Sequence, residues 1–197
     1  MSCDPSSLVV DALCDKFREK NIAITYFYVD FAEREDQSPT NILGSLLKQI
    51  VDGLERVPEE ISLMLQHHRR VAYGRGPRVS EIVKMLQTTT SLQPTFICVD
   101  ALDECGEGHR PKILDSLRQV LEKSPNTRIF LTGRRHIKSE VERHLGARVA
   151  VLSIKPSNGD IVGYIRMRLS KDTAPDATGG NLEGEIVKSI FENIPEM

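Results

Sequence analysis

The stretch from Gln93 to Cys105, QPTFICVDALDEC, constrains the fold more than any other part of the chain. Phe96, Ile97, Cys98 and Val99 form a short, continuous run of apolar or small residues, with Gln93 and Pro94 before it and Asp100, Asp103 and Glu104 after it. Such a run, opened by turn chemistry, predicts a buried strand of the parallel type. Acids at the carboxyl end of a parallel strand lie at the crevice where open α/β sheets bind ligands. A carboxylate there can hold magnesium, directly or through water, and a second can orient the attacking water of a hydrolysis. The same acids would equally cap a following helix or simply face solvent.

The rest of the chain alternates helical and strand patterns, which predicts a parallel sheet covered by helices on both faces. Ser6 or Ser7 opens a helix carrying Val10, Leu13, Cys14 and Phe17. Ile22 to Phe31 is rich in β-branched and aromatic residues and reads as a strand. Pro39-Thr40 opens a helix with Ile42, Leu43, Leu46, Leu47, Ile50 and Val51 on one face, and Glu59 to Arg70 reads as another. Val71 to Val79 contains Gly and Pro and reads as a loop, with His67 to Arg70 as a solvated cationic helix end before it. Ser80 caps a helix with Ile82, Val83 and Leu86. After the acid-tipped strand, Pro111 sits in the first turn of a helix bearing Ile113, Leu114, Leu117, Val120 and Leu121. Arg128 to Gly133 reads as a second buried strand, followed at once by Arg134, Arg135 and His136. Ile137 to Leu145 reads as a short helix, Arg148 to Ile154 as a further strand, and Ile161 to Leu169 and Leu182 to Ile194 as helices around a polar loop from Lys171 to Gly180.

Phe96 to Glu104, four apolar or small residues followed by Asp-Ala-Leu-Asp-Glu, resembles the Walker B strand of NACHT-type signalling NTPases, in the nephrocystin-like branch of the STAND class of P-loop proteins. Thr132-Gly133-Arg134 is similar to the sensor signature at the end of that family's next strand. The resemblance implies Asp100 near magnesium, Asp103 and Glu104 near the hydrolytic water, and Arg134 on the terminal phosphate, where a fixed guanidinium shares charge through several donors. The alternative for Arg134 and Arg135 is pairing with local acids such as Glu140.

The same resemblance sets the expected architecture: a three-layer P-loop NTPase-like parallel sheet that lacks its first, Walker A, strand. Residues 1–155 would form an incomplete NTPase-like core, and 156–197 the start of a helical lid. Ser6 to Asp11 resembles the helix that follows the Walker A loop, so Met1, Ser2 and Cys3 stand where Gly, Lys and Thr or Ser would be. No Gly-Lys pair occurs anywhere in the sequence, whereas a phosphate cradle of this type needs G-x-x-x-x-G-K-[ST]. The missing strand would lie between Arg128–Gly133 and Arg148–Ile154, leaving an open edge or forcing those two to pair.

The parent family implies Mg-ATP or Mg-GTP, bound and hydrolysed as a conformational switch. For this chain by itself, tight nucleotide binding and stand-alone hydrolysis are not expected. A non-catalytic interaction module that keeps the same fold is the alternative. A metal-dependent phosphohydrolase built on Asp100, Asp103 and Asp30 is a weaker third.

With 197 residues, 40% hydrophobic and 27% charged, the chain is long enough for one sizeable core. The net charge of −2 gives no reason to expect nucleic acid or an anionic membrane as partner, so protein partners, and self-association through an open sheet, are the expectation. No apolar run approaches the roughly 20 residues of a spanning helix, and the N-terminus lacks the form of a secretory signal. Cys3, Cys14, Cys98 and Cys105 make no zinc-type spacing, so reduced thiols and a cytoplasmic location are expected.

Overall fold

The computed structural model describes residues 5–33, 36–71, 76–146, 149–154, 157–170 and 182–193. Three strands form one sheet: β1 (Ala23–Tyr28), β2 (Thr95–Asp100) and β3 (Thr127–Leu131), in the order β1-β2-β3 and all parallel. The register sets Tyr28 beside Asp100 and Val99 beside Leu131, so the three strands end together on one rim. Helices α2 (Pro39–Asp52), α3 (Glu59–Val71) and α4 (Val79–Leu92) connect β1 to β2, and α5 (Arg110–Lys123) connects β2 to β3.

One face of the sheet carries the main core. Ile42, Leu43, Leu46 and Ile50 of α2, Ile82, Met85 and Leu86 of α4, and Ile113, Leu114, Leu117 and Val120 of α5 are buried against Ile97 and Val99 of β2. These are the periodic apolar faces of the sequence, with Met85 added. The opposite face is covered by α1 (Pro5–Phe17), whose Phe17 stacks on Phe96 of β2 with ring centroids 5.3 Å apart. The result is an α/β fold of three layers. Cys98 is a buried small residue in the middle strand, and burial pushes its thiol up to about 11.

Local chemistry sets the element ends. Ser38 accepts the Asn41 N–H at the start of α2, with Pro39 in the first turn. Helix α4 begins at Val79, two residues earlier than a Ser80 cap allows, and the Glu81 carboxylate accepts the Arg78 N–H (2.7 Å) instead. Of the expected 71–79 loop, residues 72–75, Gly74 among them, lie outside the described residues, and so do the side chains of His67 to Arg70; Gly76 is described.

The expected fourth strand does not form: Val149–Ile154 has neither strand nor helix among the described residues, and Val151, Leu152 and Ile154 are exposed. A short apolar segment without a neighbouring ladder has nothing to offset the entropy of being extended. Among the described residues β3 is therefore an edge strand. Thr132 N–H donates to Val99 O, and Thr132 O accepts from Leu102 N–H, so Thr132 faces β2. In a parallel ladder alternate residues turn both backbone groups to the same neighbour, which directs those of Ile129 and Leu131 outward. The outer edge of β1 is different: the Gln49 side chain accepts the Tyr26 N–H (3.0 Å) and donates to Tyr26 O (2.8 Å).

Beyond β3, a 3₁₀ turn at Arg135–Ile137 leads into α6 (Lys138–Leu145). The chain divides into two compact units, Met1–Val149 and Ala150–Met197. The second contains α7 (Asn158–Ser170), packed with α8 (Leu182–Asn193). Ser157 caps α7: its Oγ accepts the Asp160 N–H (3.2 Å), and Asp160 in turn accepts the Ser157 N–H (2.8 Å). The expected loop from Lys171 to Gly180 lies outside the described residues.

Candidate functional site

The common rim of the strands opens into a cleft of about 570 Å³, lined at its floor by Asp100 and Ala101 and at its walls by Tyr28, Asp30, Asp103, Glu104 and Arg134. Its shape begins with Ala101. This residue has φ 51°, in the left-handed region that a non-glycine side chain rarely adopts. The reversal ends β2 and starts a 3₁₀ turn at Leu102–Glu104, which brings Asp103 and Glu104 back over the end of β3. The turn is held by Thr132: its hydroxyl donates to Asp100 Oδ1 and accepts the Ala101 N–H (2.9 Å). One side chain on β3 thus fixes both the last residue of β2 and the first of the turn.

Asp103 and Arg134 meet across the cleft. Arg134 N–H donates to Asp103 Oδ1 (3.2 Å), and Arg134 Nε lies 3.4 Å from Asp103 Oδ2. Its Nη2 is 3.9 Å from Glu104 Oε1. The partners are unlike in exposure: the Asp103 side chain is 5% exposed and that of Arg134 is 76%. The carboxylate is buried, while the guanidinium is exposed at the mouth. Glu104 also reaches across to the turn that follows β1, accepting the Phe31 N–H at 3.2 Å. Gly133 permits the close approach: a Cβ there would stand 2.6 Å from Ile137 Cδ1 and 3.3 Å from Asp103 Oδ1. Burial, with Tyr26 and Asp100 beside it, pushes the Tyr28 phenol above its ordinary value.

All four expected site residues, Asp100, Asp103, Glu104 and Arg134, line this one cleft. Asp30 lines it too, but its carboxylate is engaged by the Ala32 N–H (2.8 Å). Among the described residues no three His, Cys, Asp or Glu side chains come together in a way that could hold a metal unaided. A magnesium ion here would need ligands from a bound phosphate, as magnesium sites commonly do. Asp100 lines the cleft at the end of β2, with its Oδ1 engaged by the Thr132 hydroxyl.

Glu140 pairs with Arg110 (2.9 Å) rather than with Arg134 or Arg135. Arg110 was not among the expected site residues. It is the first residue of α5, where the helix dipole disfavours a cation; a cation in that position is the signal that could have found it. Ala101, Thr132 and Gly133 were legible only as members of their motifs.

Comparison with known proteins places these residues in a family. No curated protein and no solved structure matches the chain. Among the described residues no helix is long and apolar enough to cross a membrane. The family model described as Nephrocystin 3, N-terminal matches residues 6–134, a span that runs from α1 through Arg134 and takes in every residue of the cleft wall. With most of its length matched, the chain belongs to the Nephrocystin 3 N-terminal family.

Proposed function

We propose that the chain carries the phosphate-facing rim of a NACHT-type, STAND-class switch that binds ATP or GTP with magnesium. The observation that carries this reading is the convergence of Asp103, Glu104 and Arg134 on one open cleft at the carboxyl ends of β2 and β3, with Asp100 at its floor. Acids that can share magnesium or orient water, beside an exposed guanidinium that can meet a phosphate, suit magnesium-assisted phosphate chemistry.

The roles follow from position. Arg134, 76% exposed, leaves Asp103 to accept the charge of a terminal phosphate. Asp103 and Glu104, released from the guanidinium, accept hydrogen bonds from water and orient it. Asp100, held by Thr132, lines the cleft at the end of β2. Magnesium, when bound with a nucleotide, supplies neutralisation of phosphate charge. The exchange of Arg134 between acid and phosphate is the switch element of this reading: the nucleotide state is read as the presence or absence of the Asp103–Arg134 pair.

The 197 residues hold no Gly-Lys pair and therefore no lysine-bearing cradle of the kind that positions phosphates in P-loop proteins. By itself the chain is accordingly expected to bind nucleotide weakly and not to turn it over. Titration calorimetry with Mg-ATP and Mg-GTP tests this. Weak binding, lost in Arg134→Ala, supports the reading; micromolar binding that survives Arg134→Ala sinks it.

A second reading, a protein-interaction module acting through its sheet, is favoured by the asymmetry of the edges. Gln49 seals β1 at Tyr26, whereas β3 turns the backbone of Ile129 and Leu131 outward beside an exposed Phe130. Sedimentation that shows self-association abolished by Phe130→Lys, with no nucleotide binding at any concentration, selects this reading over the first.

A further inference from the structure

We infer that Arg110 is the positioning residue of the cleft: its buried guanidinium holds the acid turn in place and so aims Asp103 at Arg134. Arg110 is 7% exposed, among the most buried charges described. Its Nε donates to Leu102 O (3.2 Å), and its Nη2 to Asp103 O (3.2 Å) and Cys105 O (2.9 Å). Its Nη1 donates to Glu140 Oε2 (2.9 Å), which pairs the charge. One planar fork therefore collects three carbonyls of a single turn and one carboxylate of α6.

The geometry has a consequence for the carboxylate. With the carbonyls of Leu102, Asp103 and Cys105 drawn toward α5, the Asp103 side chain is turned the other way, to the end of β3. There its Oδ1 meets the Arg134 N–H. Ala101 in the left-handed region would not hold this turn by itself, since that conformation is unfavourable for a side-chain-bearing residue. Glu140 adds a second link. It lies on α6, the helix that follows Arg134 within one 3₁₀ turn, so Arg110 is bonded both to the acid wall and to the element that carries the arginine wall. The cleft is spanned twice, at its mouth by Asp103–Arg134 and beneath it by Arg110–Glu140.

Lysine cannot replace this arginine. An ammonium has three donors directed from one point and does not match a planar set of four acceptors. Glu140, 18% exposed at its side chain, would keep its countercharge, but the Asp103 and Cys105 carbonyls would lose the guanidinium donor. The importance of this positioning for phosphate chemistry rests on the reading proposed above; the positioning itself does not.

The test is amide hydrogen exchange and the proton–nitrogen spectrum of the nucleotide-free chain, for wild type, Arg110→Lys and the double variant Arg110→Met/Glu140→Met. The double variant leaves no buried charge unpaired and so guards against simple failure to fold. The expected result in both is exchange at Arg134 faster by about tenfold, as loss of one ordinary hydrogen bond implies, with a displaced Arg134 resonance. Ile97 and Val99 in the central strand keep their protection. If Arg134 is unchanged in both variants, or if exchange rises uniformly across β2 as well, Arg110 is a stabilising residue and nothing more, and the inference is overturned. No nucleotide is present, so an absence of nucleotide binding would count against the proposed function and leave this result standing.

Discussion

Replacing Thr132 by valine tests the joint between β2 and β3 with almost no change of shape. The Thr132 hydroxyl accepts the Ala101 N–H at 2.9 Å and donates to Asp100 Oδ1, and both bonds are partly buried. Its backbone bonds to Val99 O and Leu102 N–H are untouched by the substitution. Valine keeps the branched Cβ and its strand preference but removes both side-chain bonds. A typical net hydrogen bond contributes about 1 kcal/mol, and one to a charged group somewhat more, so Thr132→Val should cost about 2 kcal/mol. For a unit of this size that corresponds to a fall in Tm of roughly 4–8 °C. Thr132→Ser keeps the hydroxyl and should recover most of the loss. Urea unfolding followed by circular dichroism measures all three proteins. If Thr132→Val matches wild type within about 0.5 kcal/mol, or if the serine variant is as unstable as the valine variant, the hydroxyl is not what joins the strand ends.

Gly133→Ala should destabilise by about 1–3 kcal/mol, because the new methyl must displace the buried Ile137 side chain and crowd Asp103; thermal unfolding reads the loss, and a neutral result would show that the loop has room. Ala101→Gly should raise stability by roughly 0.5–1 kcal/mol, since glycine adopts φ 51° without strain, and the same melt would contradict the assignment if stability fell. The Cys98 thiol, raised to about 11 by burial, titrates above its unfolded value near 9.0. Folding then favours the protonated form, so this contribution is full below about pH 9 and is lost as pH rises toward 11. The stability of wild type relative to Cys98→Val, measured by denaturant unfolding, should fall over that window; a difference that stays constant would contradict the raised thiol value.

The parts of the fold that were legible in the sequence are those set by local pattern. The apolar faces of α2, α4 and α5 follow from residues spaced three and four apart, and β2 from a short apolar run closed by acids. Arg148 to Ile154 has equally good strand composition, yet Val149–Ile154 is not a strand, because a strand needs a neighbour and composition does not supply one. The cleft residues Asp100, Asp103, Glu104 and Arg134 could be named because they stand at or just after the ends of two strands, where a parallel sheet collects its chemistry, and because the motifs that hold them resemble those of a known family. Arg110 could not be found that way. Its role depends on three carbonyls that converge only after Ala101 has turned the chain and on a glutamate in a helix two elements later. The one local sign was a cation at a helix start, where the backbone does not favour it.

The most direct test of the central claim is a titration of the isotope-labelled chain with Mg-ATP, followed residue by residue. The account predicts weak, millimolar-range binding in which the amides of Ala101, Gly133 and Arg134 shift together as Arg134 leaves Asp103 for the phosphate, and in which Arg134→Ala abolishes the shifts. Shifts confined to residues away from the rim of β2 and β3, or the same shifts in Arg134→Ala, would contradict it.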